Sequence, residues 1–191
     1  MRTLDVEAID RHAVDLGESW AVDHAARLVA LVDRIADGLT YDRDVLTWAA
    51  HLHDWGAFAA YRRDGVDHAT RSAEVVRTEV LPGLDLPDAA VEVLLEAIVR
   101  HDYRDPLPVV SPEALLLREA DMLDLVGVVG LSRELAWGPN DLDACYRRIR
   151  SRRDGIRGRH TLPEARRIAE RRIARMDVCL GWFEDEMGGA D

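Results

Sequence analysis

Three histidines and two aspartates have sequence spacings that place polar side chains on the buried faces of helices. His24 shares one helical face with apolar residues four, seven and eleven positions further on. His53 and His101 each follow apolar residues at minus seven, minus four and minus three, so both imidazoles also point inward. Asp121 lies between two leucines on one face, and Asp54 directly follows His53. A carboxylate buried without a partner loses several kcal/mol to desolvation or undergoes a large rise in pKa.

These five side chains therefore need a common partner in one small core. A divalent metal ion accepts neutral imidazole nitrogen and carboxylate oxygen together, and it offsets the cost of their burial. The sequence therefore predicts a metal site. His68 lies on a more polar face, so periodicity leaves it open between surface and site. The other three histidines, His12, His51 and His160, are predicted to be structural.

The elements that must position these groups are helices. Apolar residues recur mostly at spacings of three and four, and alternating runs of β-branched residues are almost missing. This pattern predicts an all-α fold, and the length of 191 residues suits a single domain over 1–191. The helices are expected at about 4–16, 20–37, 43–54, 67–81, 87–101, 112–136, 141–152 and 161–187.

Composition excludes several classes of function. The formal net charge of −11 argues against non-specific binding of nucleic acid. All 25 basic residues are arginine, so P-loop, Schiff-base and general-base lysines are excluded. The two cysteines, Cys145 and Cys179, are isolated, which is typical of a reducing compartment. Without a signal-peptide pattern or a run of about eighteen apolar residues, the sequence predicts a cytoplasmic protein with no membrane partner.

Arginine is concentrated toward the C-terminus, where residues 141–175 carry 12 arginines and 5 acidic residues. This segment is either a solvated helix face with ion pairs or a local anion site. Four of the arginines that lie within six residues of His68 or His101 are singled out. They are candidates for binding a substrate phosphate, with plain surface charge as the alternative: Arg62, Arg63, Arg100 and Arg104.

The order of the histidines and aspartates resembles the signature of the HD-domain superfamily of metal-dependent phosphohydrolases. Three strings are similar to motifs of its small bacterial members: Ala-Ala-His-Leu-His-Asp at 49–54, His-Ala-Thr-Arg-Ser-Ala at 68–73 and Glu-Ala-Asp-Met-Leu-Asp-Leu-Val-Gly at 119–127. The resemblance covers residues 18–135 approximately. Within the arginine-rich helices at about 141–187, the spacing of apolar residues from Leu162 to Met176 resembles the closing helix of the nucleoside triphosphate pyrophosphohydrolase-like branch.

The resemblance implies an HD-type helical bundle with the metal site between core helices. It implies that one ion is held by His24, His53, Asp54 and Asp121, and that a second is held by His68 and His101. Asp54 then bridges both ions as the catalytic carboxylate, with metal-activated water as the nucleophile. A donor set of nitrogen and oxygen atoms suits manganese, iron, cobalt or nickel.

The implied function is hydrolysis of a phosphate ester or anhydride in a small phosphorylated metabolite, with nucleotides as the favoured class. The protein is expected to be a monomer or a homodimer. Two alternatives stay open at this point. The same six ligands hold a mixed-valent diiron centre in HD-type oxygenases, which cleave carbon–phosphorus or carbon–carbon bonds. In the other alternative the domain is a metal-stabilised ligand sensor, although a pure binding module needs no open coordination position.

Overall fold

The computed structural model describes residues 4–138 and 140–188 of the chain. Within these ranges all regular structure is helical and no strand is present, so the predicted all-α class is confirmed. The chain divides into two compact units, Met1–Ala120 and Asp121–Asp191. A single domain over 1–191 stays a prediction. No helix in the described ranges combines the length and the apolar character that crossing a membrane requires.

The first unit contains, in chain order, α1 (Val6–Asp15), α2 (Ser19–Ile35), α3 (Arg43–Leu52), α4 (His68–Val75) and α5 (Asp88–Arg100). It also contains the part of α6 (Pro112–Asp124) that precedes Asp121. A 3₁₀ turn, Trp55–Ala57, follows α3, and a π-helical turn, Val76–Val80, extends α4. The N-caps of α1, α3 and α4 are Asp5, Asp42 and Asp67. Their side chains accept hydrogen bonds from backbone N–H groups of the first turn.

The interior of the first unit contains the inward-directed histidines. Helix α3 packs against α2 and α5, and α5 also packs against α4. Leu28 of α2 and Ile98 of α5 are completely buried. His24, His53 and His101 are no more than 2% exposed, so the orientation predicted from their spacing is confirmed.

The second unit contains α7 (Gly127–Trp137), α8 (Leu142–Ile156) and α9 (Pro163–Gly188), and α7 packs against both of the others. Its arginine-rich surface is largely ion-paired. Arg152 of α8 reaches Glu134 of α7 at 3.0 Å, and Arg153 and Arg157 reach Asp177 of α9 at 2.8 and 2.9 Å. The arginines thus join neighbouring helices, which favours the solvated, ion-paired face over an anion site.

The helix predicted at about 112–136 is two helices. Helix α6 ends at Asp124, and α7 begins at Gly127, whose φ of 81° lies in the left-handed region that glycine adopts without strain. A Cβ atom on Gly130 would lie 2.1 Å from the carbonyl oxygen of Leu125. The chain therefore turns here because glycine allows the backbone to approach itself closely.

Candidate metal centre

His53 and His101 occupy equivalent positions in the first unit, because each ends a helix, α3 and α5 respectively. Nδ1 of His53 lies 2.8 Å from the carbonyl oxygen of Ala50, and Nδ1 of His101 lies 2.7 Å from that of Ile98. A carbonyl oxygen only accepts hydrogen bonds, so Nδ1 carries the proton in both rings. The neutral ring then presents the lone pair of Nε2, which is the arrangement common to metal-binding histidines.

The carboxylate of Asp54 lies between two pairs of imidazoles. Its Oδ2 atom is 3.3 Å from Nε2 of His53 and 3.8 Å from Nε2 of His24. Its Oδ1 atom is 3.5 Å from Nε2 of His68 and 3.6 Å from Nε2 of His101. Each carboxylate oxygen thus faces its own pair of nitrogen atoms.

His68, which periodicity leaves open, belongs to this cluster. It is the first residue of α4, and its Nε2 atom lies 3.1 Å from Nε2 of His101. Asp67 accepts a hydrogen bond from the backbone N–H of Thr70 at 3.1 Å and lies 3.4 Å from Nδ1 of His68. The side chain of His68 is 25% exposed, so it forms the side of the cluster that is open to solvent.

Asp54 is ionised although it is largely buried. Burial raises the pKa of its carboxyl, but the imidazoles of His53, His101 and His24 outweigh burial and hold that pKa well below its usual range. An ionised carboxylate cannot donate a hydrogen bond. Nε2 of His53 is buried and receives no hydrogen bond from the described residues. When His53 is neutral and carries its proton on Nδ1, its Nε2 atom and Oδ2 of Asp54 are two acceptor atoms 3.3 Å apart, and a cation between them would satisfy both.

The chemistry of this donor set fits divalent metal ions. Protonating all four imidazoles would leave an excess of positive charge around a single carboxylate. Divalent transition metals instead accept neutral imidazole nitrogen and carboxylate oxygen together. Ligand atoms about 2.0–2.2 Å from one ion lie about 3.0–3.5 Å from each other, close to the separations found here. His53, Asp54 and His101 present ligand atoms that all lie within 4.8 Å of one another.

Asp121 is placed in the last part of α6 and is 6% exposed. Its predicted inward orientation is therefore confirmed, and its role as a ligand stays a prediction. A buried carboxylate in this position needs a compensating group, as the sequence analysis expects.

The histidines predicted to be structural contact other groups. Nδ1 of His51 lies 2.6 Å from Oδ1 of Asp10, which ties α3 to α1. Nε2 of His12 lies 2.8 Å from the hydroxyl of Tyr61. His160 is buried in the second unit. His12 and His51 thus hold elements of the first unit together.

Arg62 and Arg63 precede α4 and are exposed. The side chain of Arg62 makes no hydrogen bond or ion pair with any residue that the structure describes. Arg63 lies 3.6 Å from Glu74, in a pair whose side chains are both exposed. Both guanidinium groups are thus held weakly or not at all, which leaves them available to a ligand.

Arg100 and Arg104 are held more firmly. Arg100 donates to Oδ2 of Asp105 at 2.7 Å, and Arg104 forms a fork with the carboxylate of Asp102. The role of all four arginines in substrate binding stays a prediction. Arg100 and Arg104 would first have to leave their present partners.

Asp102 is a buried carboxylate that the sequence analysis did not assign. It is 8% exposed, and its Oδ2 atom lies 3.9 Å from Nε2 of His68. Asp67, His68 and Asp102 form a further group that could hold an ion. The repeated His-Asp dipeptide, at 53–54 and 101–102, is the sequence signal that points to it.

An open cavity of about 280 Å³ borders this further group. It is lined by Asp67, Thr70, Val99, Arg100, Asp102, Arg104 and Asp105. The cavity thus lies beside the exposed side of the candidate metal centre. Two arginines line it, and each is paired with a carboxylate.

A helical fold with an ionised carboxylate between four imidazoles is the arrangement of a metal-dependent HD-type hydrolase domain. The family model named HD domain matches residues 21–126, which is more than half of the chain. The chain belongs to the HD-domain family. The predicted class of metal-dependent phosphohydrolases is confirmed at this level, and with it the binding of divalent metal.

Solved structures share this fold. A protein from Lactobacillus plantarum with 18% identity has a TM-score of 0.73, with 97% of both chains covered. An HD-superfamily hydrolase from Bacillus thuringiensis has 18% identity and a TM-score of 0.65, covering 96% of this chain and 94% of its own. Bacillus subtilis YpgQ in complex with ADP has 20% identity and a TM-score of 0.66, covering 98% of this chain and 100% of its own. A comparison with curated proteins gives no match.

Proposed function

We propose that the chain hydrolyses a phosphate ester or anhydride bond in a small phosphorylated metabolite, with nucleotides as the favoured class. The observation that carries this proposal is the position of Asp54. Its two carboxylate oxygens face separate pairs of imidazole nitrogens at 3.3–3.8 Å. A carboxylate placed in this way suits a bridge between two divalent ions.

Six side chains make up the proposed ligand set. One ion would be held by His24, His53, Asp54 and Asp121, and the other would be held by His68, His101 and Asp54. The Nδ1–H donation of His53 and His101 to backbone carbonyls supports the assignment, because it orients Nε2 as a ligand. Manganese, iron, cobalt and nickel suit such nitrogen and oxygen donors.

Two divalent ions, when bound, lower the pKa of water and clamp the attacking and leaving oxygens of a phosphoryl group. Asp54 contributes the bridging carboxylate, which its low pKa keeps ionised. The exposed side of His68 and the cavity beside it leave room for a substrate. The side chain of Arg62, which makes no hydrogen bond or ion pair with the described residues, can bind a phosphate through two parallel hydrogen bonds.

Two observations support a nucleotide as substrate. YpgQ, which shares the fold, is in complex with ADP. In this chain the ring centroids of Trp20 and His24 are 6.4 Å apart, and the indole is partly exposed. Trp20 thus offers an aromatic wall beside the ligand set on which a base can stack.

The test is a substrate screen of the protein loaded with Mn²⁺ or with Fe²⁺. Nucleotides, sugar phosphates and phosphonates are supplied, while release of phosphate and pyrophosphate and uptake of oxygen are followed together. Hydrolysis predicts phosphate or pyrophosphate release without oxygen uptake. His53→Ala should abolish this release, and His51→Ala is the matched control, because His51 also lies at the end of α3 but contacts Asp10.

Other outcomes separate the alternatives. Oxygen uptake that appears with iron and vanishes with manganese supports the diiron oxygenase. A fully metal-loaded protein that turns over no compound supports the ligand sensor. Equal loss of activity in His53→Ala and His51→Ala contradicts the ligand assignment.

A further inference from the structure

Asp102 places a second carboxylate near Nε2 of His68, one of the two histidines proposed to hold the second ion. Its Oδ2 atom lies 3.9 Å from Nε2 of His68, which in turn lies 3.1 Å from Nε2 of His101. Like Asp54, it directly follows a histidine that ends a helix and donates Nδ1–H to a carbonyl oxygen. Asp102 is therefore a potential ligand outside the six-residue set.

Arg104 covers this carboxylate. Its Nε atom lies 2.9 Å from Oδ1 and 3.0 Å from Oδ2 of Asp102, and a terminal guanidinium nitrogen also donates to Oδ2. The backbone N–H of Arg104 separately donates to Oδ1 at 2.8 Å. Oδ1 thus remains anchored by the backbone even when the guanidinium moves away.

The guanidinium of Arg104 is paired with Asp102 but lies at the surface. The side chain of Arg104 is 66% exposed, while that of Asp102 is only 10% exposed. Because the guanidinium is exposed, solvent competes with the carboxylate of Asp102 for its hydrogen bonds. Arg104 also lines the cavity of about 280 Å³, so its guanidinium has space to move into.

We propose that Asp102 is a ligand of the second divalent ion and that Arg104 occupies this carboxylate when the ion is absent. The inference rests on the proposed function, because it requires a second ion near His68 and His101. The guanidinium and the ion compete for Oδ2, since both need its lone pairs. Binding of the ion therefore releases Arg104 into the cavity, where it meets the phosphate of an incoming substrate.

A neighbouring pair provides a matched control. Arg100 donates to Asp105 at 2.7 Å in the same cavity. Asp105 also accepts the backbone N–H of Leu107 at 3.0 Å, and it belongs to no group of potential ligands among the described residues. Replacing Arg100 thus removes one positive charge from the cavity without uncovering a ligand.

The experiment is a calorimetric titration of metal-free protein with Mn²⁺, repeated for Asp102→Asn, Arg104→Ala and Arg100→Ala. Asp102→Asn should weaken the second ion at least about tenfold, because a ligand is lost. Arg104→Ala should strengthen it about two- to fivefold, because a competitor is removed. Arg100→Ala should leave its affinity unchanged. The affinity of the first ion should stay the same in all three variants.

Each contrary result has a definite meaning. Unchanged affinity for the second ion in Asp102→Asn, or weaker binding in Arg104→Ala, overturns the inference. An equal gain in Arg104→Ala and Arg100→Ala also overturns it, because general electrostatics would then account for both. His101→Ala distinguishes failure of the two-ion site from failure of Asp102 as a ligand. A wild-type protein that binds one ion and is unaffected by His101→Ala overturns the two-ion site itself, together with the inference.

Discussion

The backbone N–H of Gly56 donates a hydrogen bond to Oγ of Ser72 at 2.8 Å. The same hydroxyl donates to the carbonyl oxygen of His68 at 2.9 Å. Gly56 follows Asp54 by two residues, and His68 begins α4. This pair of hydrogen bonds therefore fixes the first turn of α4 against the turn that follows the candidate bridging carboxylate.

Ser72→Ala should lower the free energy of unfolding by about 1–3 kcal/mol, because the buried N–H of Gly56 loses its acceptor. It should also weaken Mn²⁺ binding at His68. Thr78→Ala is the control, since Thr78 donates to the carbonyl of Glu74 but is exposed. Urea denaturation and Mn²⁺ titration measure both effects. Equal losses in the two variants would contradict the linking role of Ser72.

Gly56→Ala should be more damaging, because its Cβ would lie 2.2 Å from the carbonyl oxygen of His68 and 2.5 Å from the backbone nitrogen of Ser72. Overpacking of this kind costs about 1–3 kcal/mol or more. Gly181→Ala is the control, since its Cβ would contact nothing within 4 Å and alanine favours a helix by up to about 1 kcal/mol. Thermal unfolding compares the two variants. A neutral Gly56→Ala would show that α4 can shift freely.

The sequence is sufficient to predict the inward histidines of the candidate site. His24, His53 and His101 lie on or at the ends of regular helices, so their spacing from apolar neighbours determines their orientation. His68 is different, because it begins a helix and its position depends on Gly56 and Ser72. Such a tertiary contact leaves no periodic signal in the sequence.

Other features depend on local chemistry that spacing does not encode. The break between α6 and α7 follows from the close approach of Gly130 to the carbonyl of Leu125, although the apolar pattern continues through it. Similarly, Arg104 lies near His101 in the sequence, but its guanidinium binds Asp102. An arginine that lies near a site histidine in the sequence is a candidate for binding substrate. Nearby carboxylates then determine which group its guanidinium contacts.

Asp105→Asn should destabilise the protein at neutral pH and much less in acid. Burial raises the pKa of Asp105, but the hydrogen bonds from Arg100 and from the backbone N–H of Leu107, together with the charges of Arg100 and Arg118, outweigh burial and lower that pKa. The stabilisation is therefore complete above the unfolded pKa of about 3.9 and is lost as pH falls toward the lower folded value. We expect a difference of about 1 kcal/mol or less at pH 7. Denaturation of both proteins from pH 7 to about pH 2 measures it, and a constant difference would contradict this account.

Arg62→Ala should reduce kcat/KM about ten- to hundredfold if its guanidinium grips a phosphate, the loss expected for a charge-assisted hydrogen bond. Arg62→Lys should also be impaired, because a point charge does not reproduce the fork. Stability should stay within about 0.5 kcal/mol, since the side chain is exposed and makes no hydrogen bond or ion pair with a described residue. Arg34→Ala, at an exposed position of α2, is the control for loss of surface charge. Kinetics that match the wild type would transfer the role to another arginine or to the metal alone.

Removal of metal should destabilise the protein, and Asp54→Asn should abolish most of this dependence. An ion present at a hundredfold its dissociation constant adds about 2.7 kcal/mol to the free energy of unfolding, so chelation should lower the melting temperature. Asparagine has nearly the shape of aspartate but lacks the charge that two cations share. Elemental analysis should give one to two ions per wild-type chain and fewer in Asp54→Asn. His51→Ala should keep the wild-type content, because its imidazole pairs with Asp10 instead of Asp54. An Asp54→Asn protein that keeps its metal and its Mn²⁺-dependent melting shift would contradict the bridging assignment.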